Sequence, residues 1–384
     1  MKIKLPNKSG KAEIYVLRGE PLVVRKPKKP FNRICFAAAH VVADPFADAD
    51  PSGAPTLDWK RTMAYRKHLL DLGFGIAEAM DTSQRGMGLD WPTALELIRR
   101  SLDHAGERAS LIYSGVGTDQ LAVADTRSLD DVVRAYLEQL HAVQKMGGRV
   151  ILMASRALVR VAKSSADYEK VYARVLAEAD HPVVLHWLGE MFDPALKGYW
   201  GSEDFSQAVD TALRMINANV TKVDGIKISL LDDQKEIIMR RKLPSAVKMY
   251  TGDDFNYPAL IVGDEKGHSH ALLGIFDAIA PAASLALSAL SKGNLQKYNS
   301  LMEPTVPLSR LIFRAPTQFY KTGIVFLAWL NGHQDHFVMI NGAQAMRPLA
   351  YFTEVFKLAD QAWLLRDPDL AMRRMKQMLA VYGA

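Results

Sequence analysis

One lysine lies where lysine is seldom found, inside a short apolar run near the middle of the chain. Lys227 follows Ile226 and precedes Ile228 in the segment Val223–Ser229, whose pattern predicts a strand buried on both faces. Burying an ammonium is costly, so such a group either finds a partner or loses its proton. A neutral lysine amine can attack a carbonyl group and form a Schiff base. Lys227 is therefore the candidate catalytic residue, and a solvated lysine at the end of a strand is the alternative.

Further polar residues follow other apolar runs and complete a candidate site. His186 ends one such run, and a histidine with a pKa near 6.5 can serve as a general acid or base. The adjacent hydroxyls of Thr82 and Ser83 either cap a turn or hold a carboxylate or sugar hydroxyl. Gly252 and Asp253 belong to a Gly-Asp-Asp run that is typical of a turn with a helix cap, and the backbone at Gly252 could contact substrate.

A metal site is a second possibility. His40, Glu78 and Asp277 also fall near predicted strand ends, where they could line the mouth or bind a divalent cation together with His186. A metal-dependent hydrolase barrel would usually have His-x-His at the end of its first strand, and the residues before His40 are alanines. The pattern does occur at His268–His270, but there it precedes a predicted strand and so belongs to the opposite end. We therefore expect no bound metal.

The elements that position these residues alternate regularly. Helical patterns, the clearest at 91–105, 129–146 and 167–179, separate eight short apolar strands. The predicted strands are 34–39, 75–80, 110–114, 150–154, 183–187, 224–229, 247–251 and 271–276. Eight strands that alternate with helices indicate a (β/α)8 TIM barrel, an α/β fold whose chemistry lies at the carboxyl ends of the strands. Lys227 is near the end of the sixth strand and so could point into the mouth.

The barrel is predicted to occupy residues 31–293, with an extension on each side. Residues 1–30 resemble a β-hairpin of strands 12–17 and 21–24, and residues 294–384 read as a C-terminal helical region. The connection between His186 and Lys227 is long for a single helix, and residues 188–201 within it are expected to form a lid over the mouth.

Composition limits the classes of function. The net charge is +6 and the basic residues are scattered, so we expect no nucleic-acid partner. The single cysteine, Cys35, excludes an internal disulfide. The apolar window 271–290 contains Asp277 and Pro281 and is predicted to form a buried strand and a core helix, not a membrane span. With no signal peptide evident, we expect a cytoplasmic protein that forms a dimer or tetramer through its appended helices.

Several motifs, in order, resemble the family of dihydrodipicolinate synthase and N-acetylneuraminate lyase. The resemblance covers roughly residues 31–300, and within that superfamily the chain is most similar to domain-of-unknown-function family 993. The motifs are Gly225-Ile226-Lys227 with Ser229 and Asp232-Asp233, Asp81-Thr82-Ser83, Ser114-Gly115-Val116-Gly117-Thr118, and Thr251-Gly252-Asp253-Asp254.

The resemblance implies roles for these residues. Lys227 would be the Schiff-base lysine, and Thr82 and Ser83 would take the place of a threonine pair that holds the substrate carboxylate. His186 stands where the family has a tyrosine that shuttles protons. The family's Gly-Thr-Thr-Gly-Glu becomes Asp81-Thr82-Ser83-Gln84-Arg85, which loses both glycines and the glutamate.

These observations favour a class I aldolase or lyase-like enzyme that acts on a 2-keto acid or sugar-derived carbonyl compound through Lys227. Such an enzyme needs no metal and no organic cofactor, and its partner is a small-molecule carbonyl substrate. Two alternatives stay open: a metal-dependent hydrolase or aldolase barrel that uses His40 and His186, and a ligand-binding barrel without catalysis.

Overall fold

The computed structural model describes residues 1–7, 9–48, 50 and 53–384, and eight of its strands close into a parallel barrel. The strands are β1 (Lys2–Pro6), β2 (Ala12–Val16), β3 (Cys35–Ala38), β4 (Gly75–Glu78), β5 (Ile112–Val116), β6 (Arg149–Leu152), β7 (Val183–Leu188), β8 (Val223–Ser229), β9 (Lys248–Thr251) and β10 (His270–Leu273). Strands β3 to β10 neighbour one another in chain order, and β10 closes the ring against β3. This is the predicted (β/α)8 TIM barrel.

Helices separate the barrel strands and continue beyond them. The barrel helices are α1 (Trp59–Asp71), α2 (Trp91–Ala105), α3 (Leu129–Lys145), α4 (Arg156–Val161), α5 (Ser165–Ala177), α6 (Phe205–Ala218), α7 (Asp233–Lys242), α8 (Tyr257–Val262) and α9 (Ile275–Leu290). The C-terminal helices are α10 (Leu295–Met302), α11 (Val306–Ile312), α12 (Tyr320–Leu330), α13 (Leu349–Gln361) and α14 (Pro368–Val381). Helix α2 shows why the boundaries were predictable, because the Asp90 side chain accepts a hydrogen bond from the backbone N–H of Thr93.

The eight predicted barrel strands are all present, and their boundaries differ from the prediction by at most three residues. The last strand ends at Leu273 and not at Phe276, because helix α9 already begins at Ile275. The window 271–290 is thus a buried strand followed by a core helix, as its interrupted apolar pattern predicts. No helix in the described part of the chain is long and apolar enough to cross a membrane.

The N-terminal hairpin is real, but its strand pairing differs from the prediction. Strand β2 pairs antiparallel with β1, which precedes it, and residues 21–24 form no strand. The side chain of Asn7 accepts hydrogen bonds from the backbone N–H groups of Ser9 and Lys11, which stabilises a turn upstream of β2. Leu22 instead donates its backbone N–H to the carbonyl of Trp363 in the C-terminal region.

Large rings fill the barrel interior below the level of Lys227. Phe36 contacts Tyr113 and Tyr250, with ring centroids 4.7 and 6.0 Å apart. Glycines on neighbouring strands make room for these rings, since a Cβ atom at Gly75 or Gly225 would lie 2.6 Å from Phe36 or Tyr250 ring atoms. The bottom of the barrel is therefore a closed aromatic plug, and any open volume lies above it, at the carboxyl ends of the strands.

Gly225→Ala is expected to destabilise the protein by about 1–3 kcal/mol, because the added methyl group overpacks the aromatic plug. Its Cβ would lie 2.6 Å from both the Lys248 carbonyl oxygen and the Tyr250 ring. Urea unfolding followed by circular dichroism measures the change. Ser300→Ala, on the exposed surface of α10, is the control, and equal stability of the two variants would contradict the plug.

Candidate active site

Lys227 lies inside the barrel mouth, two residues before the end of β8. Its side chain is buried and lines a cavity of ≈10 Å³ together with Thr82, Ser229 and Asp254. Burial lowers the pKa of Lys227, and the nearby carboxyl groups of Asp81 and Asp254 oppose that shift. The amine is thereby shifted toward the neutral form that attacks carbonyl groups.

Gly252 gives Lys227 its space. A Cβ atom at this position would lie 2.3 Å from the Ser229 Oγ and 2.8 Å from the Lys227 Cε. The backbone N–H of Gly252 donates to the Ile228 carbonyl oxygen at 2.9 Å, which holds the chain after β9 against β8. The glycine of the Gly-Asp-Asp run is thus required because the lysine side chain passes close to its backbone. A backbone contact from Gly252 to substrate stays a prediction.

His186 lies on β7 in register with Lys227 on β8. It is buried, and its Nε2 lies 3.2 Å from the Ser229 Oγ, which also lines the Lys227 cavity. Burial, reinforced by the charge of Lys227, lowers the pKa of His186 well below 6.5. The imidazole is therefore neutral near pH 7 and can accept a proton.

Thr82 and Ser83 are adjacent in sequence, but their hydroxyl groups have different partners. The Thr82 Oγ1 lies 2.8 Å from the Tyr320 hydroxyl and lines the Lys227 cavity. Ser83 is buried, and its hydroxyl donates to the Met80 carbonyl oxygen at 2.6 Å, which closes the turn after β4. The structure brings Thr82 to the lysine, whereas substrate binding by Ser83 stays a prediction.

The two aspartates after Gly252 also differ. The Asp253 carboxylate accepts hydrogen bonds from the backbone N–H groups of Phe255 and Asn256 and so stabilises the turn before α8, whose N-cap residue is Asn256. Asp254 instead faces the Lys227 cavity, and its Oδ1 accepts the backbone N–H of Ile275 at 2.8 Å. Burial raises the pKa of Asp254 to about 7. Substrate binding by Asp253 stays a prediction, and Asp254 is a site residue that the capping interpretation missed.

A larger cleft of ≈370 Å³ adjoins the Lys227 cavity, and Asp81, Leu188 and Phe192 line both. His186 lines this cleft, as does Lys321 from the start of α12. The cleft and the cavity are neighbours separated by these shared residues, and together they form the candidate site, with the amine in the cavity.

The long connection after β7 supplies Leu188 and Phe192 to the lining of this site, and its role as a lid stays a prediction. Its Phe192 packs against Phe313 and Tyr320 of the C-terminal region, with centroids 6.2 and 6.1 Å away. Trp200, further along, is fully buried among Tyr172 and other rings. A volume of ≈10 Å³ at the lysine holds about one water molecule, so a substrate can enter only if side chains such as Phe192 move.

Two site residues from the C-terminal region, Tyr320 and Lys321, are not predicted by the sequence motifs. Tyr320 and Lys321 open a helix that lies far along the chain from every barrel strand, and Tyr320 contacts Thr82 across 238 residues of sequence. The only sequence signal is a lysine in the first turn of an otherwise apolar helix, a position that burial makes costly.

The residues of the metal alternative each have partners of their own. His40 Nδ1 lies 2.8 Å from an oxygen of Asp277, and Glu78 forms a two-armed ion pair with Arg66 at 2.9 Å. His186 lies beside Ser229. Within the described ranges no group of three or more His, Cys, Asp or Glu side chains is placed to hold a metal ion. These contacts give the metal alternative no support.

Known structures share the fold. They include the YagE protein of E. coli K12 in complex with pyruvate, described as belonging to the dihydrodipicolinic acid synthase family (15% identity, 87% of this chain and 99% of that chain, TM-score 0.66). Another is the 4-hydroxy-tetrahydrodipicolinate synthase of Methylacidiphilum fumariolicum SolV (14%, 91% and 98%, TM-score 0.63). A third is the pyruvate-complexed dihydrodipicolinate synthase of Acinetobacter baumannii (16%, 86% and 99%, TM-score 0.63).

At the level of sequence, the model of the family described as "Protein of unknown function (DUF993)" matches residues 3–384. No curated protein sequence matches the chain. The match over nearly the whole chain confirms the resemblance to family 993, and the known structures show that the barrel fold is shared with dihydrodipicolinate synthases.

Gly252→Ala is expected to abolish reaction of Lys227 with carbonyl compounds, because the new methyl group would displace the Lys227 Cε and the Ser229 Oγ. Peptide mapping after borohydride reduction measures the labelled fraction of Lys227. Gly225→Ala is the matched control, since its methyl group overpacks the same barrel but meets Tyr250 and not the lysine. Equal labelling of the two variants would show that Gly252 does not make room for the amine.

Proposed function

The chain belongs to the DUF993 family, and we propose that it is a class I aldolase or lyase that works through a Schiff base on Lys227. The observation that carries the proposal is the buried amine at the carboxyl end of β8, in a cavity of hydroxyl and carboxyl groups. The substrate is a carbonyl compound, either a 2-keto acid or a sugar-derived aldehyde or ketone. Two of the similar structures are described as complexes with pyruvate, which is such a compound.

Imine formation uses groups that surround Lys227. The neutral amine adds to the carbonyl carbon, and the resulting carbinolamine loses its oxygen as water to leave a protonated imine. Asp254, whose pKa burial raises to about 7, can give and take the protons of this step near neutral pH. The protonated imine then draws the electron pair of a neighbouring carbon–carbon bond, which breaks to leave an enamine.

His186 moves protons between substrate and enamine. As a neutral imidazole it accepts the proton of the hydroxyl group whose carbon is cleaved from the imine, and the imidazolium then protonates the enamine carbon. Hydrolysis of the second imine releases the product and restores Lys227. Thr82 and the backbone near Gly252 hold the carboxylate or hydroxyl groups of the substrate, and Ser83 and Asp253 are the further substrate-binding residues that the sequence predicts.

Borohydride reduction in the presence of 2-keto acids, sugar aldehydes and ketoses tests the proposal. A mass gain that depends on substrate and maps to Lys227 is expected, because reduction converts the imine to a stable amine. The adduct must be absent in Lys227→Ala and present in Lys170→Ala, which removes an exposed lysine on α5. An adduct that persists without Lys227, or no adduct with any carbonyl compound, would contradict imine chemistry. Reversible binding without an adduct would instead indicate a ligand-binding barrel.

His186→Gln is expected to keep the adduct on Lys227 but to slow proton transfer by about 10²–10⁴-fold, the usual contribution of a general acid–base group. Exchange of substrate C–H protons for deuterium, followed by NMR, measures this step. His141→Gln, on the exposed surface of α3, serves as the control. Unchanged exchange in His186→Gln would assign the proton transfer to another group, of which Asp254 is the nearest candidate.

A further inference from the structure

The carboxyl groups of the site lie on one side, next to the nucleophile. Asp81 and Asp254 both line the Lys227 cavity, and both interact electrostatically with its amine. The Asp81 carboxylate makes no hydrogen bond and no ion pair with any residue that the structure describes. It stands at the junction of the cavity and the cleft, where any substrate bound to Lys227 must pass.

The cationic end of the site lies in the cleft. Arg85 and Arg156 also line it, but Asp119 and Asp193 neutralise them through ion pairs at 2.6 and 2.5 Å. Lys321 forms no ion pair in the part of the chain that the structure describes, and Asp81 and Asp193 attract its amine only from a longer distance.

The Lys321 amine is held in place by uncharged partners. Its side chain is 4% exposed, and its Nζ donates to the Gln318 carbonyl oxygen at 3.0 Å and lies 3.4 Å from the Met87 Sδ. A buried cation of this kind is costly unless a counter-charge arrives. A bound anion in the cleft would supply that charge.

The carboxyl groups at the Lys227 cavity and the Lys321 amine in the cleft discriminate between the carbonyl compounds that could form an imine. The carboxylate of a 2-keto acid is bonded directly to the reacting carbonyl carbon, so in the imine it would lie in the cavity that Asp81 and Asp254 line. The Asp81 carboxylate would repel it, as would Asp254 whenever that group is ionised, and in a buried site such repulsion is strong. Hydroxyl groups on the carbons next to the carbonyl would instead donate hydrogen bonds to the Asp81 carboxylate and pair with Thr82 and Ser229.

We propose that the substrate is a hydroxylated aldehyde or ketone with no carboxylate beside its carbonyl group, and that Lys321 binds an anionic group at its far end. The inference rests on the proposed Schiff-base function and names the substrate class of the same site. Phosphate and carboxylate share the chemistry that Lys321 recognises. Lys321 is thus a specificity residue supplied by the C-terminal region.

Trapping with four probes tests the substrate class. Erythrose 4-phosphate carries a distal phosphate, glucuronate a distal carboxylate, erythrose no charge, and pyruvate a carboxylate beside the carbonyl. At least one of the first two is expected to label Lys227 at a lower half-saturating concentration than erythrose, and which one it is identifies the anion. Pyruvate is expected to label Lys227 least. If pyruvate labels Lys227 ahead of the other probes, the inference falls while the Schiff-base proposal stands. No labelling by any probe overturns both.

Variants of Lys321 test whether its amine causes the preference for an anionic probe. Lys321→Met keeps the buried stem and is expected to raise the half-saturating concentration of the preferred anionic probe by about 10- to 100-fold, as loss of a charged hydrogen bond does. Erythrose should change less than about 2-fold, as both probes should in the surface control Lys170→Met. Lys321→Arg should restore much of the anion preference and shows that a charge at this position suffices. An unchanged ratio of anionic to neutral probe in Lys321→Met overturns the role of Lys321.

Asp81→Asn tests the repulsion at the inner end. The ratio of the pyruvate to the erythrose labelling rate is expected to rise by about 10-fold, in line with removal of one like-charge interaction of about 1.4 kcal/mol. The ratio is the informative quantity, because a change in the pKa of Lys227 alters both rates equally and cancels. A constant ratio would show that Asp81 does not exclude the carboxylate.

Discussion

The energetic cost of enclosing the Lys227 amine constrains the rest of the site. An ammonium without solvent needs either a counter-charge or loss of its proton, and the structure provides both in part. Burial lowers the pKa of the amine, while Asp81 and Asp254 limit the shift. Burial thus favours the neutral amine that attacks a carbonyl group, and the two carboxyl groups favour the ammonium form.

The barrel divides the work of stability and chemistry between its two ends. Rings of Phe36, Tyr113 and Tyr250 close the amino-terminal side, and glycines on adjacent strands permit their contact. Because that side is filled, polar side chains at the carboxyl ends of β7, β8 and β9 share one small volume. Gly225 lies below Lys227 and Gly252 lies beside it. The missing side chain makes room for the Tyr250 ring at the first position and for the lysine side chain at the second.

The features that could be predicted from the sequence are those that depend on a short local pattern of residues. The barrel strands were found from short apolar runs, and Lys227 and His186 from their places at strand ends, because the barrel topology brings all such ends together. The hairpin partner of β2 was wrong, since pairing depends on turn chemistry at Asn7 and not on the nearest apolar run. Tyr320 and Lys321 could not be found in this way, because their contacts with the mouth depend on how the C-terminal helices pack.

The segment after β4, where this chain differs from the dihydrodipicolinate synthase motif, is in contact with the C-terminal region. Helix α12 begins with two adjacent residues that both reach the mouth: Tyr320 lies 2.8 Å from the Thr82 Oγ1, and Lys321 lines the cleft beside Asp81. A carboxylate at position 81 would disfavour an anion near the lysine, and a cation at position 321 would favour one further out. One hydrogen bond joins the two segments, so the position of α12 affects the surroundings of the Thr82 hydroxyl as well as the place of the Lys321 amine. The proposed substrate preference therefore depends on how residues 294–384 dock on the barrel.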